Sequence, residues 1–150
     1  MFATGLAARQ APTLEIGGAV AKPGPISIGH LTSLKNENVT VTESGESVLY
    51  SGPLLATVLG QAGAASGATM RGTAPRTYVI AEAKDGYRAV FSLGELDPEL
   101  GNSRVIIAVA RNGSPLSSTV GPFRLIPAGD KRAARNVRML TKITVVQLPD

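Results

Sequence analysis

Glycine and proline recur along this chain more densely than average composition supplies, at 17 and 10 of its 150 residues. A proline fixes φ and removes a backbone donor, and a glycine in a helix interior leaves the backbone too free. Long helices are therefore disfavoured, and many short strands joined by tight turns are expected. A chain of this length is about one domain and can bury roughly two-thirds of the surface its unfolded form exposes, so a true core is expected.

Residues 13–20 (TLEIGGAV) read as a first strand whose glycine pair marks a bulge or a close backbone approach. Pro23, Gly24 and Pro25 then force a turn. Ser27 is placed to cap a short helical turn through Leu31 and Leu34, residues 38–42 (NVTVT) alternate as a half-buried strand does, and residues 42–47 (TESGES) read as a polar, flexible loop. After a short strand at 48–51, Pro53 suits a first helical turn, and Leu54, Leu55, Val58 and Leu59 form one apolar stripe that ends near Gly63. Residues 62–72 read as a loop. Strands at 77–83 and 87–92 are joined through Lys84, Asp85 and Gly86 as a hairpin. Residues 93–100 form a short helical turn ended by Gly101, and the apolar run 105–110 (VIIAVA) is the expected central strand. Asn112-Gly113 and Gly121-Pro122 turn the chain before closing strands at 123–126 and 143–148. There is no internal repeat and no second core. The expected fold class is a mixed, strand-rich α+β single domain over residues 13–150, preceded at 1–12 by a disordered start or the remnant of a secretory signal.

The residue inventory excludes much chemistry. Without cysteine there is no disulfide, thiolate nucleophile or thiolate metal ligand, and the single histidine, His30, cannot build a multi-histidine metal site. His30 sits at a helix start, where a structural role is expected. Asp97 and Glu99 flank a proline in a turn and read as a solvated face rather than an acid and base pair. The sequons at Asn38 and Asn112 have structural explanations in a strand and a turn. No segment approaches the length of a membrane-spanning helix. Aromatic residues make up 4% and are not interleaved with basic ones, so nucleic-acid binding is not expected.

One charge pattern stands out. The net charge of +4 is modest, but residues 121–148 gather Arg124, Lys131, Arg132, Arg135, Arg138 and Lys142 around a single acidic residue, Asp130. Arg135 and Arg138, three apart, share a face in a helical turn, and Arg124 projects towards the same region if the loop folds back. Two readings stay open on the residues alone. The arginines hold an anionic small molecule through their planar forks, or they are solvated surface charges.

The ordered set of GAVAKPGPIS, VTVT, Tyr50-Ser51-Gly52 before an apolar helix, Asp85-Gly86-Tyr87, Asn112-Gly113-Ser114-Pro115-Leu116 and Gly121-Pro122-Phe123-Arg124-Leu125-Ile126-Pro127 resembles the molybdopterin-binding domain of sulfite-oxidase-like oxidoreductases, from about Leu14 to Leu148. The resemblance implies that fold, molybdopterin as cofactor, and a periplasmic or secreted location. Residues 134–140 (ARNVRML) resemble a family segment reading ARSVKWL, whose basic residues hold the pterin and its phosphate. By this similarity Arg135 and Arg138 are cofactor-binding residues, with Arg124 in support. The family's metal ligand is a cysteine shortly after the VTVT-like strand, where this chain reads Glu43-Ser44-Gly45, and a hydroxyl or carboxylate replaces thiolate poorly on a soft metal. The resemblance also implies that the 42–47 loop shares a cavity mouth with Arg135 and Arg138. The reading preferred on these grounds is a pterin- or anion-binding domain without cysteine-ligated molybdenum. The alternatives are an active molybdenum oxidoreductase using an oxygen ligand from residues 43–47, and a module that keeps the fold and binds a partner protein.

Overall fold

A computed structural model describes residues 11–149. The expectation for the start of the chain therefore falls, for residues 1–10, outside the described residues. Eleven strands and three short α-helices follow: β1 (Thr13–Gly18), β2 (Gly24–Ser27), α1 (Ile28–Ser33), β3 (Glu37–Glu43), β4 (Glu46–Gly52), α2 (Leu55–Gln61), β5 (Thr77–Ala83), β6 (Arg88–Ser92), α3 (Leu93–Leu96), β7 (Val105–Ala108), β8 (Ala110–Arg111), β9 (Ser114–Pro115), β10 (Arg124–Pro127) and β11 (Leu140–Gln147). This is the strand-rich α+β architecture expected from the glycine and proline spacing.

The strands form three sheets. A five-stranded sheet has the order β2-β1-β11-β5-β6, a four-stranded sheet has the order β3-β4-β8-β9, and β10 pairs with β7 as a two-stranded ribbon, with Leu125 also bridging Val137. β1 runs parallel to β11, with Ile16 opposite Ile143, and the other pairings are antiparallel. β5 buries Thr77, Val79, Ala81 and Ala83 and turns the residues between them outward, the period of two that its sequence shows.

The β7–β10 ribbon explains the apolar run. Val105 and Ile107 face the larger core with Leu125, whereas Ile106 and Ala108 face a second cluster with Ile126, Val39, Val48 and Tyr50. Each strand is buried on both faces, so neither needs a polar alternate. β7 is thus interior, but it is not the middle strand of the larger sheet, which is β11. The expectation of no second core also needs correction, because the ribbon partitions the interior in two.

Local chemistry sets several boundaries. Pro25 does not end a strand as expected but lies within β2, opposite Glu15. β2 is an edge strand, where a missing N–H costs no ladder bond. Residues 42–47 are not a flexible loop, since β3 and β4 run to Glu43 and Glu46 and leave only Ser44 and Gly45, both at positive φ, as a two-residue hairpin turn. α2 begins after Pro53 rather than on it, because the Pro53 carbonyl accepts from Ile107 N (2.8 Å) and Leu54 bridges Ile106. Ser27 caps α1, accepting from His30 N at 3.1 Å. Ser92 and Glu95 form a reciprocal cap on α3, which ends before Pro98. Gly52 has a packing role: a Cβ there would run into the Ile107 carbonyl, so glycine lets β4 cross close to β7.

Candidate functional site

Arg124 opens β10 and is only 4% exposed. A buried guanidinium needs partners, and strands β3 and β4 bring two. Its Nη1 donates to the Tyr50 hydroxyl at 2.7 Å and to Glu43 Oε2 at 3.2 Å, and the Tyr50 hydroxyl donates in turn to Glu43 Oε1 at 2.7 Å. The guanidinium carbon also stands 5.0 Å from the centre of the Tyr50 ring. Arg111 Nη2, from β8, approaches Glu43 Oε1 at 3.7 Å. Burial pushes the Glu43 carboxyl up, but the hydrogen bonds from Tyr50 and Arg124 and the charges of Arg124 and Arg111 outweigh it and hold the group below its ordinary value. Burial and the bond to Glu43 push the Tyr50 hydroxyl up, so it remains protonated and able to donate.

Among the described residues, the hydrogen bonds of Arg124 leave from Nη1. Its Nε is buried without a partner. The residue lines a cavity of about 270 Å³ with Ala83, Asp85, Tyr87, Ala133, Asn136 and Arg138. Arg138 is exposed and makes no ion pair among the described residues. Two arginines therefore converge on one cavity, with Asn136 and Asp85 as further polar groups. Asp85 Oδ1 also accepts from Tyr87 N at 3.0 Å, and the Tyr87 hydroxyl donates to the Ala134 carbonyl, tying the β5–β6 turn to the 128–139 segment.

Arg135 is placed differently. Its Nε and Nη2 donate side by side to Asp130 Oδ2 and Oδ1, both at 2.9 Å, and its Nη1 donates to Glu95 Oε1 and the Val90 carbonyl, both at 3.2 Å. Its guanidinium carbon lies 4.3 Å from the Phe91 ring centre. The hydrogen bond to Asp130, with Glu95 adding its charge, holds the Arg135 guanidinium all the more firmly in its charged form despite burial. The residue fastens the 130–135 segment to β6 and α3, and it does not line the cavity that Arg124 and Arg138 share. The three sequence-predicted arginines are thus split, with Arg124 and Arg138 together and Arg135 committed to partners within the chain.

A second cavity of about 310 Å³ adjoins the first, sharing Ala133 and Asn136, and is lined by Thr40, Val41 and Thr42 of β3 and by Asp130, Lys131 and Arg132. The end of β3 therefore does face the basic segment. Ser44 to Ser47 line neither cavity, and only Glu43 reaches Arg124. Two larger clefts lie elsewhere. In one, of about 390 Å³, Asp97 is 3% exposed rather than solvated as expected, and its carboxylate accepts from the backbone N–H groups of Gly67 (2.7 Å) and Glu99 (2.8 Å). In the other, of about 480 Å³, His30 Nε2 lies 2.9 Å from Gln61 Oε1 at the surface.

The phosphate of a phosphorylated pterin is compatible with what the cavity presents, namely an Arg124 whose Nε lacks a partner and an Arg138 without an ion pair among the described residues. Molybdenum does not fit as well. The chain has no thiolate, the carboxylate of Glu43 is taken up by Arg124, Tyr50 and Arg111, and no cluster of three histidine, cysteine or acidic residues among the described residues could hold a metal. Tyr50 was missed as a site residue, and Glu43 was expected only as an alternative oxygen ligand to metal rather than as a partner of Arg124. Their signal lay in the alternation of β3 and β4, which turns both towards one side of the hairpin.

Comparison with known proteins bears on the family and the fold. Residues 6–150 match the family model described as the oxidoreductase molybdopterin binding domain. Among solved structures, the sulfane dehydrogenase SoxCD from Paracoccus pantotrophus shares the fold, with a TM-score of 0.69 at 17% identity over 90% of this chain. The present chain spans 38% of that one. No curated protein matches.

Proposed function

The chain belongs to the oxidoreductase molybdopterin binding domain family, and from that premise we propose that it binds a pterin or another anionic small molecule in the cavity between Arg124 and Arg138, without cysteine-ligated molybdenum chemistry. The observation that carries the reading is the buried Nε of Arg124, a charged donor without a partner beside a cavity that a second arginine also lines. An unmet donor of this kind in an apolar surround is costly, and an oxyanion offers it a charge-assisted bond. Asn136 and the exposed Arg138 stand at the same cavity and can meet the remaining oxygens. Arg135 serves the site from outside by holding the segment that carries Ala133 and Asn136. Were a pterin cofactor bound, it would bring its own ring and dithiolene chemistry, and this chain's residues would fix its phosphate and exclude water around it.

Titration of inorganic phosphate and of a pterin monophosphate into wild type, Arg138→Ala and Arg124→Lys, at two salt concentrations, tests the proposal. Each variant is expected to bind more weakly by about 1.5–3 kcal/mol, the range for a hydrogen bond to a charged group. Equal affinity across all three proteins would reject the anion site. Elemental analysis and pterin fluorescence of protein from its native host check the metal clause, and stoichiometric molybdenum would overturn it.

A further inference from the structure

Arg124 and Arg135 present the same chemical edge to different surroundings. In Arg135 the side edge formed by Nε–H and Nη2–H holds the two oxygens of Asp130, both at 2.9 Å. In Arg124 that edge carries no hydrogen bond among the described residues, because Tyr50 and Glu43 meet the guanidinium at Nη1. The chain thus contains its own example of an oxyanion on a side edge, and a second edge of the same kind without a partner among the described residues. What sets that edge is the pair at Nη1. Tyr50, at 1% exposure, cannot move without disturbing the core that Val39, Val48 and Ile126 share with it. Its hydroxyl stands between the carboxylate and the guanidinium, donating to one and accepting from the other.

We infer that Tyr50 is a positioning residue for the anion site: with Glu43 it fastens Nη1 of Arg124 and so sets how the rest of the guanidinium meets an oxyanion in the cavity that this residue lines. This rests on the reading of that cavity as the ligand site. Without the hydroxyl, Nη1 keeps only the 3.2 Å contact to Glu43, and the guanidinium is freer to rotate. Affinity then falls because the fork must be ordered at the moment of binding. Glu43 is the poorer probe of the two, since removing its charge also makes the cavity more positive. Tyr50 is neutral, so Tyr50→Phe removes the hydroxyl, keeps the ring over which the guanidinium stands, and leaves the net charge unchanged.

The experiment is a double-mutant cycle read with inorganic phosphate. Tyr50→Phe is expected to weaken phosphate binding by about three- to tenfold, the range for one lost hydrogen bond. In an Arg124→Lys background, which has no side edge to orient, the same substitution should change affinity less than about twofold. The Arg124 Nε–H resonance, assigned by its loss in Arg124→Lys, should shift and exchange faster with water in Tyr50→Phe even before ligand is added. An equal loss in both backgrounds would show that Tyr50 acts through the fold, and an unchanged resonance with unchanged affinity would remove the positioning role. Phosphate binding lost with Arg138→Ala but retained in Arg124→Lys would keep the anion site and overturn this inference. If wild type binds neither phosphate nor pterin phosphate, the site itself fails, and an unaltered Nε–H resonance in Tyr50→Phe would then overturn the positioning role as well.

Discussion

Arg135 offers the sharpest contrast between a ligand-gripping arginine and a structural one. Replacement by alanine removes the bidentate pair with Asp130, the contacts to Glu95 and the Val90 carbonyl, and the stacking on Phe91. The side chain is 33% exposed, so solvent screens its ion pairs. A pair of this exposure contributes up to about 1 kcal/mol. The stacking adds about 0.5–1 kcal/mol, and the cut ties to Glu95 and β6 bring the total to about 2 kcal/mol. For a domain of this size 1 kcal/mol moves the melting temperature by about 2–4 °C, so Arg135→Ala should melt about 4–8 °C below wild type. Arg135→Lys should recover only part, since an ammonium cannot span both oxygens of Asp130. Calorimetric melting of wild type, Arg135→Ala, Asp130→Ala and the double variant checks this, and the Arg135→Ala effect should shrink when Asp130 is already gone. A melting temperature unchanged within about 1 °C, together with a large loss of phosphate affinity, would refute the structural role and return Arg135 to the ligand.

Ile107→Ala should cost about 2–5 kcal/mol in chemical denaturation, and a change within the roughly 0.5 kcal/mol usual at surface sites would place the residue outside the core. Gly52→Ala should destabilise by at least about 2 kcal/mol, because the new methyl meets the Ile107 carbonyl and the strands must part; near-wild-type melting would mean the crossing is looser than described. Glu43 is held below its ordinary value of 4.5, so its contribution to stability is full above that pH and is lost as the pH falls through the lowered value. Wild type should therefore lose melting temperature more steeply than Glu43→Gln on acidification below about pH 4.5, and coincident slopes would discard the linkage.

Much of the fold was legible because local pattern and tertiary outcome agree. The alternation of 77–83, the Asp85-Gly86 hairpin and the Leu55, Val58 and Leu59 stripe all became the elements they suggested. Reading failed where the deciding partner is distant. Pro25 looks like a stop until β1 appears beside it, and the polar letters of 42–47 say nothing of the seven residue pairs that zip β3 to β4. The site shows the same division. The basic run left an anion site and a solvated face both open, and which arginine is committed within the chain depends on partners such as Glu95, 40 residues from Arg135, and Tyr50, 74 residues from Arg124. Spacing along the chain carries no trace of either pairing.

The ribbon of β7 and β10 has one more consequence. A strand apolar on both sides is ambidextrous: slipped by one residue, it would still offer Leu125 or Ile126 to whichever cluster it met, and hydrophobicity alone would scarcely notice. Arg124 would notice. It shares a side with Ile126, and a slip would turn its charge towards the larger cluster and away from Glu43 and Tyr50. The residue proposed to read an anion therefore also works as an alignment pin of that strand, so its ion pair with Glu43 helps to keep the interior from assembling one step out of phase.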